Sequence, residues 1–131
     1  MPILLDHLIV PSRDKNASAR QLAELLAVPW EASEGIFAPV YVNETLTLDF
    51  GDWPEFEVHH YCFHVSEEEF DAIHGRIIAA GIPYRSSPHG EMDMQVSTWG
   101  GGKNLYWFDA DGHNWEILTV SYARPAPVTT G

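Results

Sequence analysis

Residues 58–65 read VHHYCFHV, three histidines and the single cysteine of the chain set into one short apolar run. A strand turns alternate side chains to opposite faces, so the stretch divides into two sets. Tyr61, Phe63 and Val65 form an apolar face, while His60, Cys62 and His64 share the other and His59 points away from them. The first face predicts a strand laid against a core. The second needs a use for its imidazoles.

Immediately after this strand, SEEEFDAIHGRIIAA (66–80) reads as a helix opened by a capping box from Ser66 to Glu69. Phe70, Ile73, Ile77 and Ala80 are its predicted buried stripe, and Gly81 and Pro83 end it. Short β segments follow: IPYR at 82–85, NLYWFDA at 104–110, a DADG turn at 109–112, and NWEILTV at 114–120. The chain before residue 58 has the same order. ILLDHLIV (3–10) is strand-like, and DKNASARQLAELLAV (14–28) is helical, with Asp14 or Asn16 to cap it, Leu22, Leu25 and Leu26 to bury, and Pro29 to stop it. PVYV (39–42) and the alternating TLTLDF (45–50) are β again. A strand, a helix and a group of strands therefore occur twice, with the lead histidines His7 and His60 53 residues apart. The expected fold class is α+β, two tandem βαβββ modules curling towards each other around a cleft. The expected organisation is one domain over 1–120, with module 1 at about 1–54 and module 2 at about 55–120, then a proline-rich C-terminal tail over 121–131 that is either a loose end or an arm reaching a partner subunit.

Composition agrees with one globular domain: 131 residues, 45% hydrophobic and 12% aromatic. A net charge of −12, with seven scattered basic residues, argues against nucleic acid and against anionic membrane surfaces. One cysteine excludes an internal disulfide and suits a reducing compartment. There is no 18-residue apolar run, and the N-terminus has no signal-peptide pattern, so the expectation is a cytoplasmic protein.

The same alternation places Leu5, His7 and Ile9 on one face of the first strand, and Asn114, Glu116 and Leu118 on one face of the last. His7, His60 and Glu116 each sit on a strand that begins or ends a repeat. Two imidazoles and a carboxylate are a facial set suited to Fe(II), and also to Zn, Mn, Co or Ni. The alternative for each histidine is a hydrogen-bonded strand residue, and for Glu116 a side chain in solvent. An ionised glutamate between Trp115 and Ile117 is costly to bury unpaired, which a metal relieves.

DHLIV, HHYCFHV and DADGHNWEI resemble, in order and spacing, the signature segments of the vicinal oxygen chelate superfamily, which includes glyoxalase I, bleomycin-resistance proteins, fosfomycin-resistance thiol transferases, methylmalonyl-CoA epimerase and extradiol dioxygenases. The resemblance covers residues 3–120, and Ala110 stands where proline is usual. It implies the paired βαβββ fold, a divalent metal on His7, His60 and Glu116, a small-molecule substrate with adjacent oxygens, and a homodimer that often shares its cleft across subunits. It also implies a catalytic role for Tyr106, which matches a cavity tyrosine of the family, and it sets Asp49 where some members have a fourth ligand. There, aspartate can ligate through water, act as a base or face solvent. His64, about 6.6 Å further along the strand than His60, is a candidate substrate-facing group, as are Asn114 and Trp99. His74 is expected in solvent, and His89 and His113 in loop and turn. The stretch from Ser86 to Lys103 is expected either to cover the cleft or to be a plain excursion. The implied function is a metal-dependent lyase, isomerase or dioxygenase; the alternative is a non-catalytic drug-binding protein of the bleomycin-resistance type.

Overall fold

The computed structural model describes residues 3–125; residues 126–131 of the expected tail lie outside the described residues. The elements run β1 (His7–Ser12), α1 (Lys15–Leu26), β2 (Phe37–Tyr41), β3 (Thr47–Asp52), β4 (His60–His64), α2 (Glu67–Ala79), a 3-10 turn at Trp99–Gly101, β5 (Asn104–Phe108) and β6 (Asn114–Leu118). They form two compact units. The first runs to His59 and takes in Asp109–His113; the second is His60–Phe108 with the chain from Asn114 onward. Among the described residues, no helix is long and apolar enough to cross a membrane.

Each unit holds a three-stranded sheet with the same wiring, ordered β1-β3-β2 in the first and β4-β6-β5 in the second. In both, the lead strand pairs in parallel with the last strand, and that last strand pairs antiparallel with the middle one. The duplication is thus a repeat of topology. The fourth strand of each expected βαβββ module shrinks to isolated bridges, Trp30↔Val40 in the first unit and Arg85↔Tyr106 and Ser97↔Asn104 in the second.

The helices follow their sequence signals. Asp14 caps α1 by accepting from Ala17 N, while Asn16 is used elsewhere, bonding the backbone of Ser33 through both ends of its amide. Ser66 and Glu69 form the reciprocal capping box of α2. Phe70, Ile73 and Ile77 are buried as expected, but Ala80 is exposed because α2 ends at Ala79 and the chain turns away at Gly81, φ 70°. α1 ends before Pro29 can act, in a left-handed Ala27.

In the first unit Val10, Ala38, Val40, Leu48 and Phe50 are buried from the sheet and Leu22 and Leu25 from α1. The second unit buries Trp107, Trp115, Leu105 and Ile117 beside Phe70 and Ile77. In β4 the alternation read from VHHYCFHV holds: His60, Cys62 and His64 are exposed, whereas Tyr61 and Phe63 stack on Trp115 with ring centroids 4.6 and 5.8 Å away.

Candidate metal centre

Glu116 is fully buried on β6, opposite Cys62 in the parallel register. Three groups define its surroundings. His60 Nε2 lies 3.0 Å from Oε1, and the Tyr122 hydroxyl donates to the carboxylate at 2.6 Å from Oε1 and 2.8 Å from Oε2. Tyr106 stands behind, its hydroxyl 3.5 Å from that of Tyr122 and accepting from Asn104 Nδ2, its ring 6.0 Å from the His60 ring.

The tautomer of His60 follows from its other nitrogen. Nδ1 is 2.9 Å from the Asn114 carbonyl oxygen, which can only accept, so Nδ1 carries a proton. Nε2 then has two states. Either it is protonated as well and the ring pairs with Glu116 as a cation, or it is bare and its lone pair faces a carboxylate oxygen. The second state is repulsive unless a proton on the carboxyl oxygen or a metal cation joins the two atoms. An imidazole fixed through Nδ1–H to a carbonyl, with Nε2 aimed at a buried carboxylate, is the arrangement of a metal-binding histidine. The imidazole nitrogen and the carboxylate are donors of the kinds a divalent metal takes, two of the three or more such an ion needs from protein.

The neighbouring groups respond to the buried charge. Burial, then the negative Glu116, pushes the Cys62 thiol up to about 12, so it stays un-ionised near neutrality. The Tyr122 phenol is raised by burial and by its bond to Glu116, and that of Tyr106 chiefly by burial.

His7 and Asp49 belong to the first unit. His7 donates from Nδ1 to Asp6 Oδ2 at 2.7 Å, which raises its pKa, with smaller upward pushes from the charges of Asp6 and Asp49 opposing desolvation. Its Nε2 is left for an outside partner, the carboxylate–histidine pattern found behind metal ligands. Asp49 sits on β3 opposite Ile9, on the face of the sheet that carries His7 and Thr47. Among the described residues, no three His, Cys, Asp or Glu side chains of one chain group closely enough to hold a metal. The structure brings His60 and Glu116 together, and places His7 with Asp6 and Asp49.

Other expected site residues take different roles. His64 donates from Nε2 to the Thr119 carbonyl and borders a groove of about 590 Å³, lined also by Gly100, Tyr122, Arg124 and Pro125. Trp99 is 69% exposed and meets the Tyr122 ring edge-on at 5.5 Å. Asn114 serves His60 through its backbone oxygen; its side-chain Oδ1 is buried with no partner among the described residues. His74 is not in open solvent: its ring packs edge-on against Tyr84 at 4.9 Å and its Nε2 is buried. His113 is a buried structural pin, donating from Nε2 to the Pro11 carbonyl and accepting at Nδ1 from His59 N. The Ser86–Lys103 stretch is tied to the buried Arg85, whose guanidinium donates to the carbonyls of Pro88 and Gly90 and stacks on Phe108. Sequence reasoning missed Asp6, although it adjoins His7, and Tyr122, whose only signal was a phenol in an otherwise polar, proline-rich segment.

No protein-family model matches the chain, and no curated protein does either. Solved structures do. Oxidase ChaP-H2 is 38% identical, with a TM-score of 0.87 over 96% of this chain and 100% of that one. The fosfomycin resistance protein FosX from Listeria monocytogenes is 19% identical, with a TM-score of 0.69 over 93% and 97%. Lactoylglutathione lyase from Agrobacterium tumefaciens is 16% identical, again with a TM-score of 0.69, over 90% and 94%. The 38% identity over nearly the whole of both chains says that this chain belongs to one family with the oxidase ChaP-H2, and the likenesses to FosX and lactoylglutathione lyase show that it shares their duplicated sheet-and-helix fold.

Proposed function

We propose that this protein is a metal-dependent enzyme that oxidises a small substrate bearing adjacent oxygens, with Fe(II) first among Fe, Mn, Ni, Co and Zn as the resident ion. The observation that carries the reading is His60, whose Nδ1 is committed to a carbonyl while Nε2 faces the buried Glu116 carboxylate at 3.0 Å. The likeness to a protein named as an oxidase favours oxidation over lyase or isomerase chemistry. His60 and Glu116 hold the metal from one subunit, and His7, backed by Asp6, completes the set from the partner copy of a homodimer. The bound ion supplies Lewis acidity to the chelating substrate and, where redox-active, electrons for dioxygen. Tyr106, with its phenol kept protonated, donates a proton or hydrogen bond to a substrate oxygen, and Asp49 acts as a base or water-mediated ligand. The groove lined by Val120, Tyr122 and Pro125 receives the apolar body of the substrate.

The test is metal content of untagged protein followed by subunit complementation. His7→Ala and Glu116→Gln should each abolish stoichiometric binding. Mixed and allowed to exchange, the two variants should regain about a quarter of the sites, because half the randomly paired dimers are mixed and each mixed dimer has one intact site. No regain would overturn the shared centre. A wild-type chain that takes up no metal, yet binds cationic aromatic drugs unaffected by His7→Ala, would make it a drug-binding protein instead.

A further inference from the structure

Tyr122 stands outside the repeat, two positions into the segment read from sequence as a tail, yet it makes the two shortest contacts to Glu116, the one fully buried carboxylate among the described residues of its unit. Its single proton reaches either oxygen. Oε1 also faces His60 Nε2, so a cation joining His60 to one oxygen leaves the other for the phenol. Without that donor, Glu116 loses its nearest partner and keeps only the weaker bonds from the Tyr106 hydroxyl and the Cys62 thiol, so it turns more easily between one-oxygen and two-oxygen binding. The ring meets Trp99 edge-on at 5.5 Å and 66°, and the Tyr122 side chain lines the groove with His64 and Arg124.

We infer that Tyr122 is a positioning residue for the metal-binding carboxylate, and that through it the segment after β6 becomes part of the metal centre and of the groove wall. This rests on the metal reading above. The opposite possibility, a phenol that blocks the carboxylate and must leave before metal enters, predicts the reverse effect of removing the hydroxyl.

The experiment is a Co(II) titration of the full chain, followed by the visible absorption of the bound ion, for wild type, Tyr122→Phe and Trp99→Leu. Melting temperatures of the metal-free forms verify that each variant folds. Tyr122→Phe should bind Co(II) about 10–100-fold more weakly, as loss of an outer hydrogen bond to a ligand does, and should change the shape of the cobalt spectrum. Trp99→Leu, which keeps the hydroxyl, should stay close to wild type. Unchanged or tighter binding by Tyr122→Phe overturns the assignment while leaving the metal site standing. Equal losses in both variants also overturn it, since ring packing would then carry the effect. A wild-type chain that binds no cobalt removes the metal reading and this inference together.

Discussion

Asp111 is the third residue of the DADG turn and is 5% exposed. Its Oδ1 accepts from Arg13 N at 2.9 Å, and its Oδ2 accepts from Ser18 Oγ at 2.7 Å, so one carboxylate ties the turn to the end of β1 and the first turn of α1. Removing it leaves two inward donors without a partner, which costs more than the bonds themselves contribute. Asp111→Ala should lower stability by roughly 2–4 kcal/mol, seen as a fall in the urea midpoint with the slope unchanged. The chemistry of single residues was only half legible in the sequence. Alternation put His60 and Glu116 on matching faces, because period 2 is a local property of a strand. It is silent on which nitrogen of His60 is committed, because that depends on the Asn114 carbonyl 54 positions away. It is equally silent on Tyr122 reaching back across its own strand end, and on His113 being sealed between Pro11 and His59.

At the scale of elements, caps and stripes were the readable part and strand count was not. Ser66–Glu69 announces α2 because both bonds of a capping box are local. The reduction of each fourth strand to bridges is decided by pairing partners: Arg85 exchanges two backbone bonds with Tyr106, and then its side chain turns to gather the loop carbonyls. The start of α1 shows a similar long-range choice. Asp52, the last residue of β3, accepts from Lys15 N at 2.7 Å and from Lys15 Nζ at 3.1 Å, and these bonds, backbone first, hold its carboxyl below the usual 3.8. A depressed carboxylate stabilises the fold above its unfolded pKa and loses that effect as pH falls through the folded value. Asp52→Asn should therefore melt a few degrees below wild type near pH 6, with the gap narrowing once the pH drops below the ordinary aspartate range. Thermal melts across pH 2.5–7 check this; a gap that widens towards acid contradicts the assignment.

For the whole molecule, the proposed centre makes metal binding and self-association one equilibrium. If His7 of one copy completes the site begun by His60 and Glu116 of another, the dimer binds the ion more tightly than the monomer. Reciprocity then requires the ion to tighten the dimer by the same factor at each site. The net charge of −12 per chain opposes association, since two copies bring like charge together, so any dication also helps non-specifically by screening. The two effects separate by chemistry. Co(II), which accepts imidazole, should lower the dimer dissociation constant in sedimentation equilibrium, whereas Mg(II) at equal ionic strength, which prefers oxygen and water, should have little effect. His7→Ala should cancel the Co(II) effect and leave the weak Mg(II) response in place, because it removes the imidazole from the partner side only. An equal response to both ions in wild type, or a Co(II) response that survives His7→Ala, means that the ion is held by one subunit alone and that dimerisation has no part in completing the centre.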